Sequence, residues 1–152
     1  MDAHDQTVSL IRINRIMFGL SLVGILIALY VTQSFLRQTS IVCVNTGCET
    51  VRKSASSYLL GSIPVPSVGL VGYTVLATLA FFRTADILKK KNLLHGMLGM
   101  AAFGVLFVSW FTYTEAFVIK AFCTWCVISA ANMVVIFLLV IRSIKLQKGT
   151  PS

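Results

Sequence analysis

The sequence predicts an all-α integral membrane protein: a bundle of four transmembrane helices with a short lid helix in its first outer loop. Three observations lead there. Hydrophobic residues make up 57% of the 152 positions and charged residues only 12%, too little polarity to coat a water-soluble globule. Four apolar runs approach the roughly 20 helical residues that cross about 30 Å of hydrocarbon. Basic residues punctuate those runs. A formal charge of +8 could otherwise suggest nucleic acid, but topology signals account for it more simply, and no nucleic-acid partner is expected. Residues 1–152 read as one membrane domain, with no polar block large enough for a second module.

The first span covers residues 16–36. Arg12 and Arg15 precede it as they would in a signal peptide, yet the run is longer than a signal core and no small-residue cleavage site follows, so an uncleaved anchor is expected. A polar stretch, 37–65, forms the first outer loop. The second span, 66–82, is short. "RTADILKKKN" then separates it from the third, 93–114, and a brief connection leads to the fourth, 122–141. Arg12, Arg15, Arg83, Lys89, Lys90, Lys91, Arg142, Lys145 and Lys148 fall on one side of this arrangement; Arg37, Arg52, Lys53 and Lys120 fall on the other. The positive-inside rule therefore places both termini in the cytoplasm and the first and third loops outside. A membrane bordering the cytoplasm, with lipid around the bundle, is the expected setting.

Within the first loop, "ETVRKSASSYLLGS" carries Val51, Tyr58 and Leu59 at roughly helical spacing after Glu49. A short amphipathic helix lying over the bundle is expected there. Small residues Gly19, Ser21, Gly24, Gly96, Gly99 and Gly104 could let helices approach closely. "KLQKGTPS" reads as a frayed end.

The four cysteines fall on or beside the outer face. Cys43 and Cys48 bracket "CVNTGC", where Gly47 would supply the positive φ of a tight reversal. Cys123 and Cys126 form a C-x-x-C in the expected first turn of the fourth span, sharing one face at i and i+3. The positive end of the helix dipole would favour a thiolate there, the attacking species in disulfide exchange. Phe122 and Trp125 add flat apolar surface at the depth of the bilayer edge. Two sulfur pairs, one in a water-facing loop and one at the lipid boundary, make a relay from a soluble dithiol to a two-electron acceptor dissolved in the membrane. Two static disulfides, a four-cysteine zinc site and thiols without a shared task are the competing readings, and the pairing stays open among three.

The ordered cysteines, with "SIPVPSVGLVGY" leading into the second span and "FCTWC" opening the fourth, resemble the vitamin K epoxide reductase family. The similarity is closer to bacterial than to animal members and covers roughly 13–141. It implies a four-helix bundle around a quinone pocket (ubiquinone or menaquinone) that opens outward beneath a loop cap. It implies that Cys43 takes the mixed disulfide with a periplasmic or extracellular thioredoxin-fold, DsbA-like protein. Cys48 would exchange with Cys123, and Cys126 would face the quinone. Ser54 corresponds to the family's loop serine. By alignment on neighbouring residues, Val65 and Ala130 correspond to the animal pocket's asparagine and tyrosine. Neither side chain can hydrogen-bond a quinone oxygen, which favours plain quinone reduction over vitamin K epoxide reduction. No resident metal is expected.

Other polar residues have milder readings. Glu115 could pass a proton to a reduced quinone oxygen, but with Tyr113 near the end of the third span it reads first as an interfacial side chain facing water. Asn132 reads as an interhelical hydrogen bond. Lys120 could favour the Cys123 thiolate or anchor the interface. His95 has no expected role.

Overall fold

The computed structural model describes residues 3–44, 46–85, 87 and 91–148. Asn45 of the cysteine connector, Lys89 and Lys90 of the second loop, and the tail from 149 lie outside the described residues. Four helices among them are long and apolar enough to cross a membrane. The first, α1 (Ala3–Arg37), begins well before residue 16. Its polar N-terminal stretch stays helical because it has a partner. Leu10, Ile13, Asn14 and Met17 are buried, and Asn14 Nδ2 donates to the Ala80 carbonyl at 2.9 Å and to Thr84 Oγ1 at 3.1 Å.

In the cap, the helix is shorter and earlier than its apolar spacing suggests. Helix α2 (Gly47–Lys53) begins at Gly47. That glycine opens a helix and does not take a positive φ; among the described glycines, positive φ belongs to Gly61. Ser54 ends α2 in extended backbone, and its hydroxyl accepts from the Ser56 N–H, starting a 3-10 turn at Ala55–Ser57. This local side-chain bond competes with helix continuation. Strands β1 (Tyr58–Leu59) and β2 (Ile63–Pro64) then pair antiparallel, Tyr58 opposite Pro64 and Leu59 opposite Ile63. Leu60 and Gly61 turn the hairpin in left-handed backbone. Tyr58 and Leu59 thus belong to a strand, where period-two geometry replaces the expected helical spacing.

Helix α3 (Val65–Ala85) and helix α4 (Lys91–Tyr113) follow, and α4 widens into a π-helical turn, Thr114–Ile119. Left-handed Lys120 (φ 56°) ends that turn. Helix α5 (Thr124–Lys148) starts later than residue 122. Consequently Cys123 caps the helix, its carbonyl accepting the Val127 N–H at 3.1 Å, while Cys126 sits in the first turn.

Helices α1 and α4 each pack against both α3 and α5, closing a four-membered ring. Asn132 Nδ2 donates to the Leu20 carbonyl at 3.1 Å, the expected bond between helices. Close approach occurs where Gly24 faces the Tyr73 ring and Gly104 faces Met133. At Gly19 and Gly99 an added methyl would meet nothing, so those positions do not serve close packing. Exposed apolar side chains such as Leu26, Val71, Phe103, Leu106 and Leu138 cover the outside, as lipid contact requires.

Candidate functional site

Cys43 and Cys48 are joined by a disulfide with Cα atoms 6.3 Å apart, while Cys123 and Cys126 are free. The sulfurs of Cys43, Cys48 and Cys123 all lie within 4.8 Å of one another. Cys48 and Cys123 are each 1% exposed, packed with Val31, Phe35, Ile41, Val51, Val65 and Phe111. Cys126 is half-buried and, with Cys123 and a carboxylate oxygen of Glu115, forms a second group within the same 4.8 Å limit. Cys123 belongs to both groups. It bridges the loop pair and the helix pair.

Directional bonds hold the loop in this position. Buried Arg52 donates to Glu49 Oε2 at 2.7 Å and to Gln38 Oε1 at 2.8 Å. Glu49 Oε1 accepts the Ile41 N–H at 3.1 Å, and Gln38 Nε2 donates to the Phe35 carbonyl at 2.9 Å. The Arg52 guanidinium, aided by the Ile41 N–H, holds the Glu49 carboxyl below its ordinary value of 4.5. Beside Cys43, the Val42 N–H donates to the Tyr30 hydroxyl and the Val42 carbonyl accepts Trp125 Nε1 at 2.8 Å. The cap is therefore laced to α1 on one side and to α5 on the other.

Beneath it opens a narrow cleft of about 80 Å³ between the helices, smaller than the usual small-molecule site. Its walls are mainly apolar, and Val65, Trp125 and Cys126 are among them. Phe122 and Ala130 are not. Phe122 lies outside at 48% exposure, because it precedes α5 and escapes the helix's inward face. Ala130 lines a separate surface groove with Val108, Val127 and Val134, because α5 turns it away from the ring's interior. Two hydroxyls escaped the sequence reading: Tyr73 donates to the Ser129 carbonyl at 2.7 Å and lies 3.1 Å from Ser129 Oγ, and both residues line the cleft. The cleft wall is thus apolar apart from one thiol and two mutually bonded hydroxyl residues. The four-thiolate zinc set is not assembled, since two of its sulfurs are bonded to each other.

Glu115 is the largest departure from expectation. It does not face water; it is 1% exposed, and its Oε1 has no hydrogen-bond partner. The π turn places it inside, with the Lys120 and Ala121 N–H groups both closing on the Glu115 carbonyl. Tyr113 nearby is exposed and stacks on Phe117. Ser54 spends its hydroxyl on the cap turn. Lys120 is exposed as the left-handed residue ending that turn, and His95 Nδ1 lies 3.0 Å from the Lys91 carbonyl one turn earlier, a bond in which the ring N–H donates.

The chain matches the model of the vitamin K epoxide reductase family over residues 15–141. No curated protein matches it significantly.

Proposed function

This chain belongs to the vitamin K epoxide reductase family, which implies a membrane oxidoreductase, and within that premise we propose that it generates disulfides by a two-pair thiol relay ending at a membrane quinone. One observation carries the reading. Cys123 Sγ lies within 4.8 Å of both sulfurs of the loop disulfide, and Cys126, three residues on, lines the apolar cleft. A continuous path of sulfur thus runs from the loop to the lipid-depth pocket.

A dithiol of a thioredoxin-fold, DsbA-like protein outside the cytoplasm attacks Cys43, the less buried loop sulfur, releasing Cys48 as thiolate. The second partner thiol resolves that bond and departs in a disulfide. Cys48 then attacks Cys123 of an oxidised helix pair, releasing Cys126, and Cys43 closes back on Cys48. The bonding pattern present, with the loop pair closed and the helix pair open, leaves both reducing equivalents beside the cleft. A bound quinone supplies a two-electron, two-proton acceptor there. Val65 and Trp125 would flank its ring, and the Tyr73 hydroxyl is in reach of the same space. Both termini would lie in the cytoplasm and the cysteines outside, as the basic residues predict, and the resemblance to bacterial members suggests a bacterial inner membrane.

Reduction of vitamin K epoxide is a second reading, and one observation favours it. The cleft wall includes Ser129, whose own hydroxyl could turn to a ring oxygen because Tyr73 donates to the Ser129 carbonyl instead, so a polar partner for an epoxide need not come from Ala130.

Absorbance of a soluble quinone analogue, mixed with purified protein and a reduced thioredoxin-fold dithiol protein, tests the proposal. Wild type should consume quinone. Cys126→Ala should not. Cys43→Ala should fail with the protein dithiol yet turn over with a small permeant dithiol. No consumption by wild type with any dithiol sinks the relay, and consumption of vitamin K epoxide in the same assay would make the second reading the substrate assignment.

A further inference from the structure

The relay as written leaves one buried group without a task. Glu115 is 1% exposed, its Oε1 has no partner, and a carboxylate oxygen lies within 4.8 Å of both Cys123 Sγ and Cys126 Sγ. A buried carboxyl that meets the Cys126 thiol and the Cys123 backbone N–H but leaves one oxygen unpartnered is costly at membrane depth and marks chemistry more often than stability. Its position is set by backbone: the π turn Thr114–Ile119 is the kind of local widening that recurs at functional sites, and the Ala121 N–H holds its carbonyl at 3.1 Å. Thiol exchange between buried sulfurs also needs a proton partner that bulk water, excluded from Cys123 and Glu115 alike, does not supply.

We propose that Glu115 is a catalytic residue of the helix pair, its proton donor and acceptor; this rests on the thiol relay and deepens it. When Cys48 thiolate attacks Cys123, the Cys48–Cys123 bond forms and the Cys123–Cys126 bond breaks. Cys126 leaves with the bonding electron pair. The Glu115 carboxylic acid transfers its proton to Cys126 Sγ and becomes a carboxylate. Cys43 thiolate then attacks Cys48, restoring the loop disulfide and releasing Cys123 thiolate. When the helix pair is reoxidised, its two electrons pass to the membrane quinone, which takes two protons from outer-face water to balance the two the soluble dithiol released there, and the proton on Cys126 returns to Glu115 as the sulfur–sulfur bond forms again. A carboxyl within reach of both sulfurs can serve each direction without moving far.

The charged surroundings leave this role to Glu115. From the cap, Glu49 and Arg52 pair with each other, and Lys53 is exposed beside Glu49. Lys120 and Tyr113 point outward, and Cys43 and Cys48 are bonded. Cys123 and Cys126 are the titratable groups left facing it.

The test follows loop-to-helix exchange in the full-length protein by rapid acid quench, differential alkylation and mass spectrometry, with a small dithiol as reductant and no quinone present. Glu115→Gln should slow exchange about 100-fold, in the range of a lost general acid, and flatten its pH profile. Glu115→Asp should restore part of the rate and the shape of the profile. Wild-type rate in Glu115→Gln at every pH, or a slower rate with an unchanged profile, overturns the proposal. Infrared difference spectra of wild type need no variant to fold: a protonated-carboxyl band should be present with the helix disulfide and bleached with the dithiol, and its absence also overturns the role. Because neither readout involves quinone, a wild type that exchanges as described but never consumes quinone would sink the proposed function and leave Glu115 as the proton carrier of thiol exchange.

Discussion

The bundle's two ends are held by different forces. At the end away from the cysteines, Met17, Leu76, Leu94, Met97, Ile136 and Val140 are at most 1% exposed and make one packed mass. Its buried cation, Arg83, makes among the described residues one long bond, from Nη1 to Asn14 Oδ1 at 3.3 Å, with Nε and Nη2 unpartnered. At the cysteine end the buried cation, Arg52, is bound on two sides, and the space below it is a cleft. Packing holds the first end; breakable, directional bonds hold the second. Exchange requires sulfurs to change partners within a few ångströms, which a close-packed interior resists and a hydrogen-bonded cap permits.

The sharpest way to break this contrast is to remove a reacting atom. Cys123→Ser should drop turnover to background while leaving the melting temperature near that of wild type; a collapse in stability would mean the two ends are not independent. Next comes the closed end. Ile136→Ala, at a fully buried position, should cost about 2–4 kcal/mol of stability by chemical denaturation and leave the alkylation rate of Cys126 unchanged. Gly24 lies at the boundary, because an added methyl would overlap the Tyr73 ring that also lines the cleft. Gly24→Ala should therefore cost about 1–3 kcal/mol and also raise the KM for a quinone analogue, whereas the longer, more pliable Met133 opposite Gly104 should absorb Gly104→Ala at lower cost.

Smaller effects belong to the cap. Glu49 is held below its ordinary pKa, so the stabilisation it gives is present above the unfolded value and is lost as pH falls through the lower, folded one. Acidification through that range should lower the hydrogen-exchange protection of the loop amides several-fold, after correction for intrinsic exchange, by loosening the loop. Arg52→Ala should give the same loss of protection at neutral pH and abolish this acid dependence. The least effect is expected from Asn132→Leu, about 0.6 kcal/mol by denaturation, the usual worth of one interhelical bond in lipid.

Much of this was legible in the chain. Span number, the cysteine cluster and the Asn132 bond follow from run length, spacing and the cost of lone polar groups in lipid. Glu115 was misread because its burial depends on a π turn, and "TEAFVI" carries no local mark separating that turn from an ordinary frayed helix end. Ala130 and Phe122 were misplaced because the start of α5 sets which face each residue takes, and that start depends on left-handed Lys120. Tyr58 and Leu59 went to a helix because a seven-residue helix followed by a hairpin imitates helical spacing over so short a stretch. Tyr73 and Ser129 went unseen because their pairing joins helices 56 residues apart in sequence.

The bond from Trp125 Nε1 to the Val42 carbonyl joins the residues just before Cys126 and Cys43, the two terminal cysteines of the relay. Thermodynamic reciprocity follows from that adjacency. A molecule in the cleft that favours this indole orientation also favours the closed loop, by the same free energy with which the closed loop favours that molecule. A partner that draws Cys43 outward must weaken the cleft's grip by the amount its own grip is weakened. In the proposed relay, capture at one end and delivery at the other would thereby be set against each other through this shared hydrogen bond.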